Sequence, residues 1–126
     1  MKKIGITLTI FVLTFFLCLA SFIFVEKTAQ YTENYLEEIE KSNDKKEFEM
    51  ALEKCKELNS FWDERSKILS VFIHHDTLDK INQSLKVINV SLKNKSRIET
   101  SKAKVSAMAY IKALKESDEI SIENIF

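Results

Sequence analysis

The sequence predicts an all-α protein: an N-terminal transmembrane helix followed by an antiparallel bundle of about four helices. Three observations carry this. The 126 residues contain one Gly and no Pro, where average usage would supply about 15 of the two together. A charge-free apolar run opens the chain, and beyond it large apolar residues recur at three- and four-residue spacing. A Gly-rich phosphate loop, a Rossmann unit and an immunoglobulin sandwich are excluded by the same composition. The chain is one domain in length, and 19 Lys+Arg against 19 Asp+Glu leave no net charge, so no electrostatic footprint for nucleic acid exists over the whole molecule.

The first element is the span Ile4 to Val25, 22 residues without a charge that include five Phe and four Leu. At 1.5 Å per residue it covers about 33 Å, enough for a hydrocarbon core of about 30 Å. Thr7, Thr9, Thr14 and Ser21 can bond back to their own helix. A cleaved signal peptide is the competing reading, since Lys2 and Lys3 form a basic start and Cys18-Leu19-Ala20 is small enough for a peptidase. Phe22-Ile23-Phe24-Val25 carries the apolar run past that point, so the expectation is an uncleaved anchor. Phe15-Phe16-Leu17 before Cys18 does not resemble a lipobox. Lys2 and Lys3 precede the span while Glu26 and Lys27 cancel after it. The positive-inside rule therefore places residues 1–25 as a cytoplasmic N-terminus and anchor, with residues 26–126 outside the cell membrane.

Residues 26–126 lack both Gly and Pro, so helix breaks are read from capping signals. A helix over 26–41 carries Thr28, Thr32, Tyr35, Leu36 and Ile39. With no Gly or Pro between Ala20 and Ser42, it is expected to continue the membrane helix. Asp44 and Glu47 form an Asp-led capping box for a second helix over 45–74, striped by Phe48, Leu52, Cys55, Leu58, Trp62, Leu69, Phe72 and Ile73. His75-Asp76-Thr77 supplies the next N-cap, opening a helix over 77–93 with the strict series Leu78, Ile81, Leu85, Ile88 and Leu92. Ser96 and Glu99 make a box for the last helix, over 97–116, whose expected buried side is Ile98, Val105, Met108 and Ala109, widened by Ile111 and Leu114. The terminal Ile120-Ser121-Ile122-Glu123-Asn124-Ile125-Phe126 is expected to dock on the bundle as a short turn.

Charge is segmented along this plan. Residues 26–64 hold 12 acids and 6 bases, residues 65–115 hold 3 acids and 11 bases, and residues 116–126 hold 4 acids. An acidic first helix packed beside basic ones would gain register, so complementarity within the domain is expected. Lys86, Lys93, Lys95, Arg97, Lys102 and Lys104 have no interleaved aromatics to stack bases, which argues against nucleic acid.

His74-His75-Asp76 with Asp79 is the sole cluster with metal or acid-base chemistry. Adjacent helical residues point about 100° apart, so His74 and His75 do not readily share an ion, and a helix-end role is expected for both. Cys55 lies on an apolar stripe and Cys18 in the span, which rules out an internal disulfide. Neither a Ser/His/Asp order nor a CxxC is present. The expectation is a protein that is not an enzyme and takes no cofactor. Three Asn-x-Ser triplets, starting at Asn82, Asn89 and Asn94, follow from a Lys/Asn/Ile-rich composition.

Trp62, Ile73, His75, Asp79 and Ile81, in the spacing Trp62-x12-His75-x3-Asp79, together with the Lys-led anchor, the acidic helix and the ending Ile122-Glu123-Asn124-Ile125-Phe126, resemble a family of small single-span helical membrane proteins of spore-forming Firmicutes, domain of unknown function 4363. The sequence differs from that pattern at Leu69, where a second Trp is expected, and at Thr77, where an acid is usual. The resemblance implies helical ectodomains tethered to the membrane, encoded beside multi-span membrane proteins, with no activity assigned. It also implies that Trp62, His75 and Asp79 form a structural or docking centre where the second and third helices meet. The expected function is that of a membrane-anchored interaction protein binding an integral membrane partner, with a homo-oligomer left open. An extracytoplasmic ligand or envelope-stress sensor is the alternative.

Overall fold

A computed structural model describes the backbone of residues 1–125 and the side chains of residues 1–116. The elements are α1 (Lys2–Asp44), α2 (Phe48–Leu69), α3 (His75–Lys93) and α4 (Arg97–Ile125). Each helix packs against the next, and α4 closes the ring against α1. Side-chain pairings run in opposite directions along neighbours: Tyr31 meets Phe61 and Glu38 meets Lys54 between α1 and α2, while Glu37 meets Lys104 and Glu33 meets Lys115 between α1 and α4. The result is the all-α antiparallel bundle, reached by one long apolar N-terminal helix.

α1 runs unbroken for 43 residues, as expected from the absence of Gly and Pro. Its first half is exposed and apolar, from Ile4 through Leu17. From Val25 onward one face, Val25, Thr28, Ala29, Thr32, Leu36, Ile39 and Asn43, is buried in the bundle. The contributions facing it are Ala51, Cys55, Leu58, Trp62 and Leu69 from α2, Leu78, Ile81, Leu85, Ile88 and Leu92 from α3, and Ala103, Ala107, Ile111 and Leu114 from α4. The five-residue series of α3 is buried in full.

α4 opens at Arg97, directly after Ser96 as expected, but the break before α2 differs from the expected capping box. Asp44 is the last residue of α1 rather than the start of α2, and the N-cap of α2, Glu47, makes no side-chain cap bond. What stops α1 is Lys46 at φ 60°: its amide donates to the Asn43 carbonyl (3.0 Å), and the Glu47 amide reaches the Ser42 carbonyl (2.9 Å). That is a Schellman motif with Lys where Gly is usual. The same device closes α3: Lys95 at φ 54° donates to Leu92 (3.0 Å) and Ser96 to Ser91 (2.9 Å).

Three boundaries and one face are also corrected. α2 ends at Leu69 instead of 74, because the Ser70, Val71, Phe72 and Ile73 amides fold into turns on Ser66, Ile68 and Leu69. Phe72 therefore leaves the stripe, while Ile73 stays buried. α3 opens at His75, with His74 in extended geometry as N-cap in place of the Asp76 cap. On α4 the buried face is Thr100, Ala103, Ala107, Ile111 and Leu114, and Ile98 and Val105 are 69% and 66% exposed. Small side chains on that face admit the close neighbours α1 and α3. Finally, α4 continues as helix to Ile125 where a short turn was expected; the docking of the tail side chains lies outside the described residues.

Candidate functional site

Trp62 sits at the centre of α2, on the buried stripe, because Leu58 and Leu69 share its face at helical spacing. Its side chain is 1% exposed, and the indole Nε1 donates to Asn82 Oδ1 on α3. A buried indole N–H needs such a partner, and Asn82, flanking Ile81, supplies it. His75 and Asp79 lie on the solvent side of the first turns of α3. Among the described residues no hydrogen bond or ion pair joins either of them to Trp62. The expected Trp62, His75 and Asp79 centre is thus placed as a buried Trp62–Asn82 pair with two separate exposed side chains. Nor do His74 and His75 act together: His74 Nδ1 accepts from the Asp76 amide at 3.5 Å, and its ring lies 3.9 Å from the Asp76 carboxylate.

A second polar assembly joins α1 to α4. Glu33 pairs with Lys115 at 2.6 Å, Glu37 with Lys104 at 3.1 Å and Asp44 with Arg97 at 3.7 Å. Between them, Ser101 Oγ donates to Glu40 Oε1 at 3.0 Å, and the Asn43 amide donates to the Arg97 carbonyl at 3.0 Å. Three of these contacts share one antiparallel register, and the Glu33 to Lys115 pair lies further along the same seam, one turn on along α1 and three along α4. The expected complementarity of an acidic first helix with basic later ones is realised here. Glu40 Oε2 and Asn43 Oδ1 are buried with no hydrogen-bond partner among the described residues. On the α2 side, a hydrogen bond from Lys54 to Glu38 (2.9 Å) holds the ammonium above its ordinary pKa.

Cys55 is fully buried on α2. Desolvation pushes its thiol up to about 11, although the Asn59 amide donates to Sγ at 3.7 Å. A thiol so raised is protonated at neutral pH and is a poor nucleophile. Cys18 and Cys55 are both free. Among the described residues no three His, Cys, Asp or Glu side chains converge.

The remaining functional feature lies along α1. The face that packs into the bundle through Val25, Thr28 and Thr32 continues toward the N-terminus as Thr7, Thr14, Cys18 and Ser21, by the 100° advance of each helical residue. Thr7, Thr14 and Ser21 donate to the carbonyls of Lys3, Ile10 and Leu17 at 2.8 to 2.9 Å, so each hydroxyl is satisfied within the helix and the face stays narrow. Phe11 falls on this same face between Thr7 and Thr14, while Leu13 and Phe16 lie on the other sides.

The contacts of Asn82, Asn43, Glu40 and Ser101 were not expected from the sequence. Asn82 had a faint signal, a polar residue beside the unbroken apolar series of α3. Asn43 was masked by its position in a Ser-Asn-Asp cluster that reads equally well as a cap.

The family model described as Domain of unknown function (DUF4363) matches residues 19–125, and the chain belongs to that family. No curated protein and no solved structure matches it.

Proposed function

We propose that this DUF4363 member is an accessory subunit, anchored by Ile4 to Val25 in the cell membrane with a cytoplasmic N-terminus, that presents its bundle outside and binds an integral membrane protein. The observation that carries the reading is the line Thr7, Phe11, Thr14, Cys18 and Ser21 on α1, small at four of its five positions. In lipid there is no hydrophobic drive between helices, and small residues that let backbones approach are what a helix interface uses. The spacing of seven between Thr7, Thr14 and Ser21 suits a left-handed crossing with a partner helix. One long apolar helix is the support for the anchor.

The role is non-catalytic in this reading, and His75→Ala leaves it intact. The sensor alternative gains no support near Trp62, where the indole is packed and bonded to Asn82. The test is crosslinking of tagged full-length protein in its native membrane, followed by mass spectrometry. Recovery of one multi-span protein in stoichiometric yield, lost on Thr14→Leu, is the expected result. Recovery of the chain alone, as monomer or homodimer, overturns it.

A further inference from the structure

The α2–α3 turn is the most apolar exposed part of the bundle: Ile68, Val71 and Phe72 are 49%, 83% and 41% exposed. Its height along α1 is fixed by side-chain contacts. Tyr31 beside Phe61 and Glu38 beside Lys54 set the register of α2 along α1; it places Arg65 level with Lys27, from where the guanidinium reaches back over the rings of Phe24 and Phe61, 5.7 and 5.2 Å from their centroids. α2 then advances toward the N-terminal end of α1 by about 6 Å to Leu69, at 1.5 Å per residue, and the turn lies beyond. Val71 and Phe72 consequently sit at about the level of Ala20 to Ile23, inside the charge-free run.

The length of that run turns this register into a statement about the bilayer. Ile4 to Leu17, the part of α1 exposed on all sides, is 14 residues, or about 21 Å. A hydrocarbon core of about 30 Å needs about 20 residues. Counting from Ile4, just after Lys2 and Lys3, the far boundary falls near Ile23. Cys18, Ser21 and Phe22 are already half-buried there. The helix cannot cross the bilayer unless the near end of the bundle enters the membrane interface.

We propose that the α2–α3 turn is a second membrane contact: Val71 and Phe72 insert among the lipid headgroups and first acyl carbons, holding the bundle flush against the bilayer. This rests on the anchor reading above. Val71 is the most exposed of the three side chains, and an aromatic such as Phe72 gains from burial in the interfacial layer.

The test uses full-length protein in phosphatidylcholine and phosphatidylglycerol liposomes whose acyl chains are brominated either close to the headgroup or deep. Phe72→Trp and Val71→Trp are each compared with the wild type, whose buried Trp62 gives the baseline. Phe16→Trp reports the anchor and Val105→Trp the outer face of α4. We expect the emission added by Phe72→Trp and Val71→Trp to be quenched severalfold more by shallow bromines than by deep ones, Phe16→Trp by deep bromines, and Val105→Trp by neither. Quenching of Phe16→Trp with none at positions 71 and 72 overturns the turn contact and leaves the anchor standing. No quenching at any of the three overturns the anchor and the turn contact together.

Discussion

The indole N–H of Trp62 on α2 ends on the side-chain oxygen of Asn82 on α3, the one side-chain hydrogen bond between these two helices among the described residues. Trp62→Ala should destabilise the full-length protein in detergent by about 3 to 5 kcal/mol, the range for truncating a buried Trp. Asn82→Ala should cost about 1 to 3 kcal/mol, because it strands a buried donor. The double variant should fall short of the sum, and denaturant unfolding of the cycle measures the coupling. His75→Ala, on an exposed side chain, should stay within about 0.5 kcal/mol of wild type.

The seam between α1 and α4 predicts a charge-swap result. Glu33 and Lys115 are each under a third exposed, so their pair is less screened than a surface bridge but still in the range of about 1 kcal/mol. Glu33→Lys should lower the melting temperature by a few degrees, since it replaces the carboxylate now 2.6 Å from the Lys115 ammonium with a second cation. Lys115→Glu in the same chain should restore most of the loss. A restored value no higher than that of the single variant would show that the seam is held by packing alone.

Lys46 and Lys95 occupy left-handed conformations at φ 60° and 54°, which cost an L-residue other than Gly about 1 to 2 kcal/mol. Gly accepts this geometry freely but loses more entropy on folding. Lys46→Gly and Lys95→Gly should each therefore stabilise the bundle by about 0.5 to 1 kcal/mol. Both gains should appear as a higher denaturant midpoint with an unchanged slope.

How much of this was legible before the structure depended on side-chain size. The Leu and Ile series of α3 and the unbroken α1 could be read directly, because large apolar residues at helical spacing admit one buried face and nothing in the chain interrupts the first helix. The face of α4 is legible only in part: Ile111 and Leu114 are buried as expected, but Thr100, Ala103 and Ala107 carry little hydrophobic weight yet are what lets α1 and α3 approach. The Asp44 and Glu47 box fails for a related reason, whereas Ser96 directly precedes α4 as expected. A left-handed Lys is invisible in sequence, so Asp44 and Glu47 looked like a beginning when they flank an ending. At the candidate site Trp62 is legible as buried, whereas the resemblance groups it with His75 and Asp79 and its hydrogen-bond partner is Asn82, four residues beyond Leu78 on the flank of the stripe.

The thiol of Cys55 gives the pH dependence its sign. An ordinary thiol titrates near 9 and this one near 11, chiefly because burial disfavours the thiolate. Between those values the unfolded chain has lost the proton and the folded chain keeps it, so the unfolded state binds fewer protons and stability falls as pH rises. The contribution is fully present below about pH 9 and declines by roughly 1.4 kcal/mol per pH unit between the two values. Cys55→Ala should flatten this alkaline limb of the stability curve while lowering stability at neutral pH through the cavity it leaves. Below that interval, at pH 8, a maleimide should modify Cys55 only at the rate of unfolding. A fast modification of the folded protein at pH 8 would contradict the buried, protonated thiol.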